Sequence, residues 1–363
     1  MYKIYHLKQI AIHCFWRNVK IAMHEKVLGG ITLANIKVPV SILNLAPVRK
    51  GSTNKEAVEQ MTALAQLAEE LDYRRYWIAE HHNTPNLVSS ATSILIGHVL
   101  QHTKTIEVGS GGIMLPNHAP LVVAEQFGTL ATIYPNRVSL GLGRAPGTDM
   151  MTASALRRDR HDSVYTFPDE VKDLLQYFGP EEKQGYVKAY PGADTNVPIY
   201  ILGSSTDSAH LAARLGLPYA FASHFAPEQM KEAIQIYRNL FTPSEYLKEP
   251  YVMVGTNVII GETDEEAEYL ATTMHQMFLS IIRNARIPMQ PPVENMDALW
   301  SPQEKLMAMS RTATGFIGSE ETVKAQLEAF QEEFNVDEFI AVSYIYDIDK
   351  QHESYRKFKA LTS

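Results

Sequence analysis

The stretch Trp77-Ile78-Ala79-Glu80-His81-His82 is a short apolar run that delivers a carboxylate and two imidazoles into a loop, which then breaks at Asn83-Thr84-Pro85. Read as a buried strand, it brings its polar groups to the surface at its carboxyl end. In parallel α/β folds that end is where the chemistry sits. The fold therefore turns on whether the same pattern recurs along the chain.

It does recur. Upstream, the residues from Val38 to Leu45 form a β-branched run that stops at Ala46-Pro47. Thr53 with Glu56 then makes a capping box ahead of Val58, Met61, Leu64, Ala65, Ala68 and Leu71 at helical spacing. Downstream, a helix opening at Ser89 or Ser90 carries Ile94, Leu95, Val99 and Leu100, and a strand runs from Ile106 to Ile113. A helix from about Leu121 to Tyr134, a strand from Arg137 to Leu142 and a helix from Asp169 to Phe178 follow. The strands starting at Pro198, Pro218 and Val252 are succeeded by helices starting at Asp207, Pro227 and about Asp264. A helix from Glu320 to Phe334 and a strand from Glu338 to Tyr344 close the series. About eight strand-helix units imply a parallel sheet with helices outside, and that number favours a closed (β/α)8 TIM barrel over an open doubly wound sheet.

Two segments break the rhythm. Residues 181–196 are rich in Gly, Pro and Tyr and read as a small hairpin. Residues 286–301 are too long and proline-rich for a routine connection, with Pro288, Pro291 and Pro292 inside and Pro302 next to them. Such an insertion is either a lid over the site or a surface excursion, and both readings stand.

At 363 residues the chain is long enough for a large buried core, and its formal charge of −8 argues against a nucleic-acid or anionic-membrane surface. The single cysteine, Cys14, excludes an internal disulfide and a cysteine-based metal cluster, and a reducing, cytoplasmic setting fits. Residues 1–36 differ from the rest. They carry Lys3, Lys8, Arg17, Lys20 and Lys26 against Glu25, with no apolar run long enough to span a bilayer and no clean signal-peptide core. They read as a poorly ordered or loosely packed extension, with Met23 a candidate start, ahead of a barrel domain over residues 37–363.

Several strand ends carry groups suited to chemistry. Gly203-Ser204-Ser205 leads into a helix whose free N–H groups suit a phosphate, and Ser205 and Ser208 offer hydroxyls; an ordinary N-cap is the plainer reading. Arg144, in Gly143-Arg144-Ala145-Pro146-Gly147, neutralises an oxyanion or pairs with Asp149 or Glu80. Gly109-Ser110-Gly111-Gly112 leaves a strand end without side chains, fit for a flat ring or a tight turn. His81, His82, His118 and His224 all fall near strand ends. With no His-x-His after the first strand and no HExxH, no dedicated metal site is expected. The dinucleotide and P-loop fingerprints are missing as well.

Taken together, these stretches resemble the bacterial luciferase-like flavin monooxygenases. The resemblance runs from about residue 38 to the C-terminus. It is carried by Trp77 to His82, Gly111-Gly112-Ile113-Met114-Leu115-Pro116, Arg137 to Arg144 with Gly147-Thr148-Asp149, and Ala212 to Pro218. It implies a luciferase-like barrel that binds reduced FMN, supplied by a separate flavin reductase, and uses molecular oxygen on a small organic substrate. By position, His81 matches the family's catalytic histidine, a proton donor or acceptor at the flavin, with Glu80 orienting or tuning it. Gly111 and Gly112 match the strand end beside the flavin ring, often joined by a cis bond. Arg144, Gly203, Ser204, Ser205 and Ser208 match the phosphate side, while Asn44 and Ala46 line the pocket from the first strand. A homodimer is implied, with helices of the second and third units at the interface.

Departures limit the resemblance. Gly143 stands where luciferase carries a reactive cysteine and Ser204 where it carries a glutamate, so neither the aldehyde pocket nor light emission is implied. Two alternatives share the fold: a deazaflavin-dependent hydride-transfer enzyme and a non-catalytic flavin-binding subunit.

Overall fold

The computed structural model describes residues 36–157 and 163–363. The expected extension therefore lies, up to residue 35, outside the described residues. Seven strands pair in chain order, all parallel: β1 (Val40–Asn44), β2 (Arg75–Ile78), β3 (Glu107–Met114), β4 (Val138–Gly143), β5 (Ile199–Gly203), β6 (Tyr219–Phe221) and β7 (Val252–Ile260). A short β8 (Phe316–Gly318) pairs only with the far half of β7, through Val258 and Phe316. β9 (Glu338–Val342) pairs with β7 on one side and β1 on the other. Eight parallel strands thus close into a (β/α)8 barrel, with β8 an extra strand outside the ring.

The helices are α1 (Asn54–Glu70), α2 (Thr92–His102), α3 (Pro120–Ile133), α4 (Met150–Leu156), α5 (Ser163–Phe178), α6 (Thr206–Leu215), α7 (Met230–Leu240), α8 (Asp264–Ile282), α9 (Pro302–Arg311), α10 (Glu320–Phe334) and α11 (Ile348–Leu361). Strand alternation sorts the core into two layers. Ile42, Tyr76, Ile78, Val108, Leu140, Ile201 and Val254 face outward and pack with helix residues such as Leu64, Val99, Phe127 and Leu174. Leu43, Trp77, Ala79, Tyr200, Met253 and Ile340 form a second, inner cluster. Thr53 caps α1 with the expected reciprocal Glu56 bonds, a device worth about 1 kcal/mol.

The floor of the barrel is polar. Arg75 is fully buried, with Glu338 at 3.1 Å and Glu107 at 3.3 Å, and its guanidinium lies over the Tyr200 ring at 4.7 Å. Desolvation alone would lower the pKa of Arg75, but the Glu338 and Glu107 carboxylates outweigh it and hold it above the ordinary value. Above this floor, Trp77 fills the interior, donating from its indole to Ser139 Oγ at 3.0 Å. Its bulk is accommodated by glycine: a Cβ on Gly111 would lie 2.7 Å from Leu43 Cδ1 and 3.0 Å from Trp77 Cε3.

Three expectations are corrected. Residues 181–196 form no hairpin; they make a 3-10 turn (Glu181–Lys183) and further turns. Side chains hold this loop instead: the Gln184 amide donates to Tyr177 O, and Glu181 takes both Lys188 and Tyr190. The second helix starts at Thr92 rather than at Ser89 or Ser90, and the Ser89 hydroxyl donates instead to Leu45 O in the neighbouring loop after β1. α5 starts at Ser163 rather than the expected Asp169 and carries Pro168 inside it.

Residues 286–301 are well tied down. Met289 bridges to Arg49 in the loop after β1, and the segment is bonded to α8 through Gln276 Nε2 to Pro291 O and Val293 N to Thr272 Oγ1. The segment thus rests against the C-terminal face of the barrel. No helix among the described residues is long and apolar enough to cross a membrane.

Candidate functional site

β2 ends at Ile78, and Ala79 to His82 follow it outside the strand. Ala79 belongs to the inner cluster, so His81 continues the inward register while Glu80 and His82 turn away from the axis. Across the barrel, the chain leaving β6 delivers His224, which is 6% exposed. β2 and β6 are four strands apart in an eight-stranded ring. A charge on His81 would nonetheless bear on His224, so the two imidazoles are within electrostatic reach of one another. Nδ1 of both is buried without a hydrogen-bond partner.

Burial pushes the pKa of His224 down to about 3, and His81 adds to that shift. The pKa of His81 is lowered too, chiefly by burial, with Glu80 opposing and His82 assisting. Both rings are therefore neutral near pH 7. The backbone carbonyl of His224 accepts from Asn257 Nδ2 at 2.7 Å, at the end of the β7 segment that pairs with β9, leaving Asn257 Oδ1 buried and unpartnered.

Glu80 faces a different set. Its Oε1 accepts from His82 Nε2 at 2.7 Å and from His118 Nε2 at 2.8 Å, and Oε2 accepts from the Met114 N–H at 3.2 Å. Burial alone would raise the pKa of this carboxyl, which is 1% exposed; the His118 and His82 donors outweigh burial and bring it down to about 2. The hydrogen bonds of the Glu80 carboxylate go to His82, His118 and Met114 rather than to His81. Glu80 reaches His81 only through its charge and the chain between them.

β3 supplies the glycine wall. The Gly111–Gly112 peptide bond is cis, and the register against β4 shifts between Gly111 and Ile113. A Cβ on Gly112 would lie 2.6 Å from Gly141 O, so the two strand ends are in backbone contact there.

The end of β5 and the start of α6 lie beside β4. Ser205 is the N-cap of α6 and makes no side-chain capping bond, which leaves its hydroxyl uncommitted to the helix. Arg144 donates to Asp207 Oδ2 at 2.9 Å, in the first turn of α6, rather than pairing with Asp149 or Glu80. The other two carboxylates have other partners: Asp149 N-caps α4 and also takes Asn83 and Arg286, and Glu80 takes His82, His118 and the Met114 N–H. A guanidinium at an open helix N-terminus, with Ser204 and Ser205 alongside, is suited to an oxyanion. Ser208 plays a different part: its hydroxyl donates to Ser205 O at 2.9 Å and contacts Tyr219 Oη at 3.2 Å. Gly203 is required by that packing, since a Cβ there would sit 1.9 Å from Ser208 Oγ.

Asn44 donates to Tyr76 Oη at 2.7 Å and accepts from the Ala46 N–H, which sets Ala46 at φ 49°. Both line a small cavity with Arg49, Gln60, Tyr344 and Tyr355; neither His81 nor His224 is part of its lining. Asn44 also lies at the end of β2, where its carbonyl accepts from the Ala79 N–H at 3.0 Å, two residues before His81. Arg286 was missed in the sequence. It donates to Asn83 O and lies 3.3 Å from Asp149 Oδ2, tying the loops after β2 and β4 to the insertion.

Buried, unpartnered ring nitrogens after β2 and β6, close packing at Gly111–Gly112 and the N-terminus of α6 with its uncapped Ser205 thus lie at the carboxyl ends of the strands. The comparisons with known proteins bear on the same regions. The family profile for luciferase-like monooxygenase matches residues 38–336. Protein YddN of Bacillus subtilis is 47% identical over 323 residues, 89% of this chain and 95% of that protein. A luciferase-like monooxygenase of Escherichia coli K12 is 43% identical over 318 residues, covering 88% and 95%. Among solved structures, apo-MsnO8 superposes with a TM-score of 0.80 at 31% identity, over 89% of this chain and 98% of that one. Two more distant structures share the fold. The oxygenating constituent of 3,6-diketocamphane monooxygenase from Pseudomonas putida, in complex with FMN, has a TM-score of 0.67 at 15% identity, covering 89% and 97%. An F420-dependent secondary alcohol dehydrogenase has a TM-score of 0.65 at 15% identity, covering 90% and 100%. The motifs at the strand ends and the profile over most of the chain agree, and the chain belongs to the luciferase-like monooxygenase family.

Proposed function

We propose that the protein is a flavin-dependent oxidoreductase, a two-component FMN monooxygenase that takes reduced flavin from a separate reductase and acts with molecular oxygen on a small organic substrate. The observation that carries this reading is the pair of buried, unpartnered Nδ1 atoms of His81 and His224, in the segments that follow β2 and β6. Reduced flavin, when bound, supplies the two electrons and the oxygen-activating ring. The protein's residues do the rest. His81, neutral and desolvated, holds or accepts a proton at Nδ1 beside the ring edge. Arg144 and the first turn of α6 hold the phosphate, with Ser204 and Ser205 as additional donors. Gly111 and Gly112 let Leu43, Trp77 and the β4 backbone pack closely at the end of β3, and this inner cluster would help to exclude water from the site.

The reading includes a cytoplasmic homodimer. Ile94 on α2 and Val122 on α3 support it, being 71% and 45% exposed on the helices of the second and third units.

The test is binding followed by turnover. The purified chain quenches or shifts the fluorescence of added FMN, and with a reductase it consumes oxygen. His81→Ala retains FMN binding and loses turnover; equal turnover in that variant removes His81 from the mechanism. Supplying the deazaflavin coenzyme in parallel separates the hydride-transfer alternative, because only the true cofactor supports both binding and turnover. Flavin binding without oxygen consumption or hydride transfer would leave the non-catalytic subunit.

A further inference from the structure

Glu80, His82 and His118 form a second centre, distinct from the His81–His224 pair. Among the described residues they are the group of three His, Cys, Asp or Glu side chains whose ligand atoms converge, all within 4.8 Å of one another. We propose that this centre is a binding site for a divalent first-row transition-metal ion of the Zn2+ type, held by Glu80 Oε1, His82 Nε2 and His118 Nε2.

Four features of the surroundings fit a ligand set. First, both imidazoles present the same nitrogen, Nε2, to the same carboxylate oxygen. Second, the other carboxylate oxygen is held by the Met114 N–H, an outer support that leaves Oε1 for the ion. Third, the two histidines are anchored through their own backbones: Thr148 Oγ1 donates to His82 O at 3.2 Å, and Arg157 Nη1 donates to His118 O at 3.0 Å. Fourth, access is graded, with the side chains of Glu80 at 1%, His82 at 11% and His118 at 28% exposure. A buried carboxylate thus forms the base of the site and the most exposed imidazole its entrance.

The donor set decides the metal class. Two imidazoles and one carboxylate suit Zn2+, Co2+ or Fe2+, and three protein ligands leave a position for water. Calcium and magnesium want all-oxygen sites and are disfavoured here. Bond lengths of roughly 2.0–2.1 Å place tetrahedral ligand atoms about 3.3 Å apart. The imidazoles must therefore back away from Oε1 by about 0.5 Å each and draw toward one another, a movement open to the half-exposed His118. Both rings bind as the Nδ1–H tautomer, with the Nε2 lone pair on the ion, in place of the Nε2–H donors they present without it.

Glu80 and His82 lie in the loop after β2, and His118 precedes α3 after β3. The ion would clip these two loops together, with His81 between its ligands in sequence. This site stands whether or not flavin binds, so its test needs no cofactor.

The full chain, freed of metal with a chelator and dialysed, is titrated with Co2+ and followed by visible d–d absorption. The expected result is saturation at about one equivalent, displacement by Zn2+, and a higher thermal midpoint with Zn2+ than without. His118→Ala, shown to be folded by circular dichroism, weakens Co2+ binding by at least about 100-fold, more than loss of an outer-shell partner costs. His82→Ala serves the same purpose and is decisive if the first variant does not fold. Weak binding by the remaining histidines persists in both variants and is thereby told apart. The absence of a saturable Co2+ spectrum overturns the proposal, as does equal affinity in a folded variant.

Discussion

His224 makes the stability of the fold depend on pH in a way that can be calculated. It is buried, its pKa falls from 6.5 to about 3, and the causes are burial followed by the neighbouring His81, both acting in the same direction. A group whose folded pKa is depressed leaves the unfolded chain binding more protons, so stability is complete above the unfolded value and declines as pH falls toward the folded one. At 1.36 kcal/mol per pH unit, His224 costs about 1.4 kcal/mol at about pH 5.5 and about 2.7 kcal/mol at about pH 4.5. His224→Gln removes the titration while keeping a neutral side chain of similar size, and the backbone bond from Asn257 to residue 224 is retained. Urea unfolding at about pH 7.5, 5.5 and 4.5 measures the difference. With a slope of about 3 kcal/mol per molar for a chain of this size, the wild-type midpoint should lose roughly 0.9 M more than the variant's between the extremes. Parallel loss in the two proteins would show that His224 is not held neutral in the fold, and with it the account of the buried histidine pair would fall.

Three further outcomes follow from the same geometry. Arg144→Ala should weaken FMN by roughly 10- to 100-fold, the loss of about 1.5–3 kcal/mol from a charged hydrogen bond, and leave riboflavin binding unchanged in fluorescence titrations; equal loss for both ligands would place Arg144 away from the phosphate. Gly112→Ala, whose Cβ would meet Gly141 O at 2.6 Å, should cost about 1–3 kcal/mol of stability in thermal or urea unfolding, because backbone must shift to make room. Arg75→Met should cost about 3–5 kcal/mol by removing the buried cation of Glu338, which then keeps only the partly exposed Arg74 at 3.7 Å. Adding Glu338→Gln should recover most of that loss, and a double-mutant cycle with no coupling would contradict the ion pair.

The barrel was legible because each of its strands carries a local signature: β-branched runs such as Val38 to Leu45, and the box at Thr53 and Glu56, announce themselves within a few residues. Elements without that signature were lost. β8 has three residues and borrows its order from β7. α9 begins with Ser301-Pro302-Gln303-Glu304, whose Ser301–Glu304 capping box and first-turn proline were readable, but the prolines before it suggested a continuing loop. Partners at the site were lost for a different reason. His118 is 38 residues from Glu80, and Asp207 is 63 from Arg144. Such pairs are fixed by barrel closure, which brings loops of successive units to one face, and no local pattern encodes which of several carboxylates a given cation will find.

That closure also explains why two consecutive histidines have separate tasks. Side chains one residue apart leave a strand on opposite sides. β2 enters its loop with Trp77 and Ala79 facing the axis and Tyr76 and Ile78 facing the helices. His81 inherits the axial side, opposite His224 of the far wall, with its Nδ1 buried. His82 inherits the outer side with Glu80, where the next loop brings His118. A carboxylate placed one residue before His81 is thereby prevented from bonding it directly, and His81 keeps an unpartnered Nδ1. A shift of one residue in this register would put the carboxylate on the axis and the free imidazole among the loops. The spacing Glu80-His81-His82 therefore assigns the acid–base group to the barrel interior and the carboxylate with its two imidazole partners to the loop layer above it.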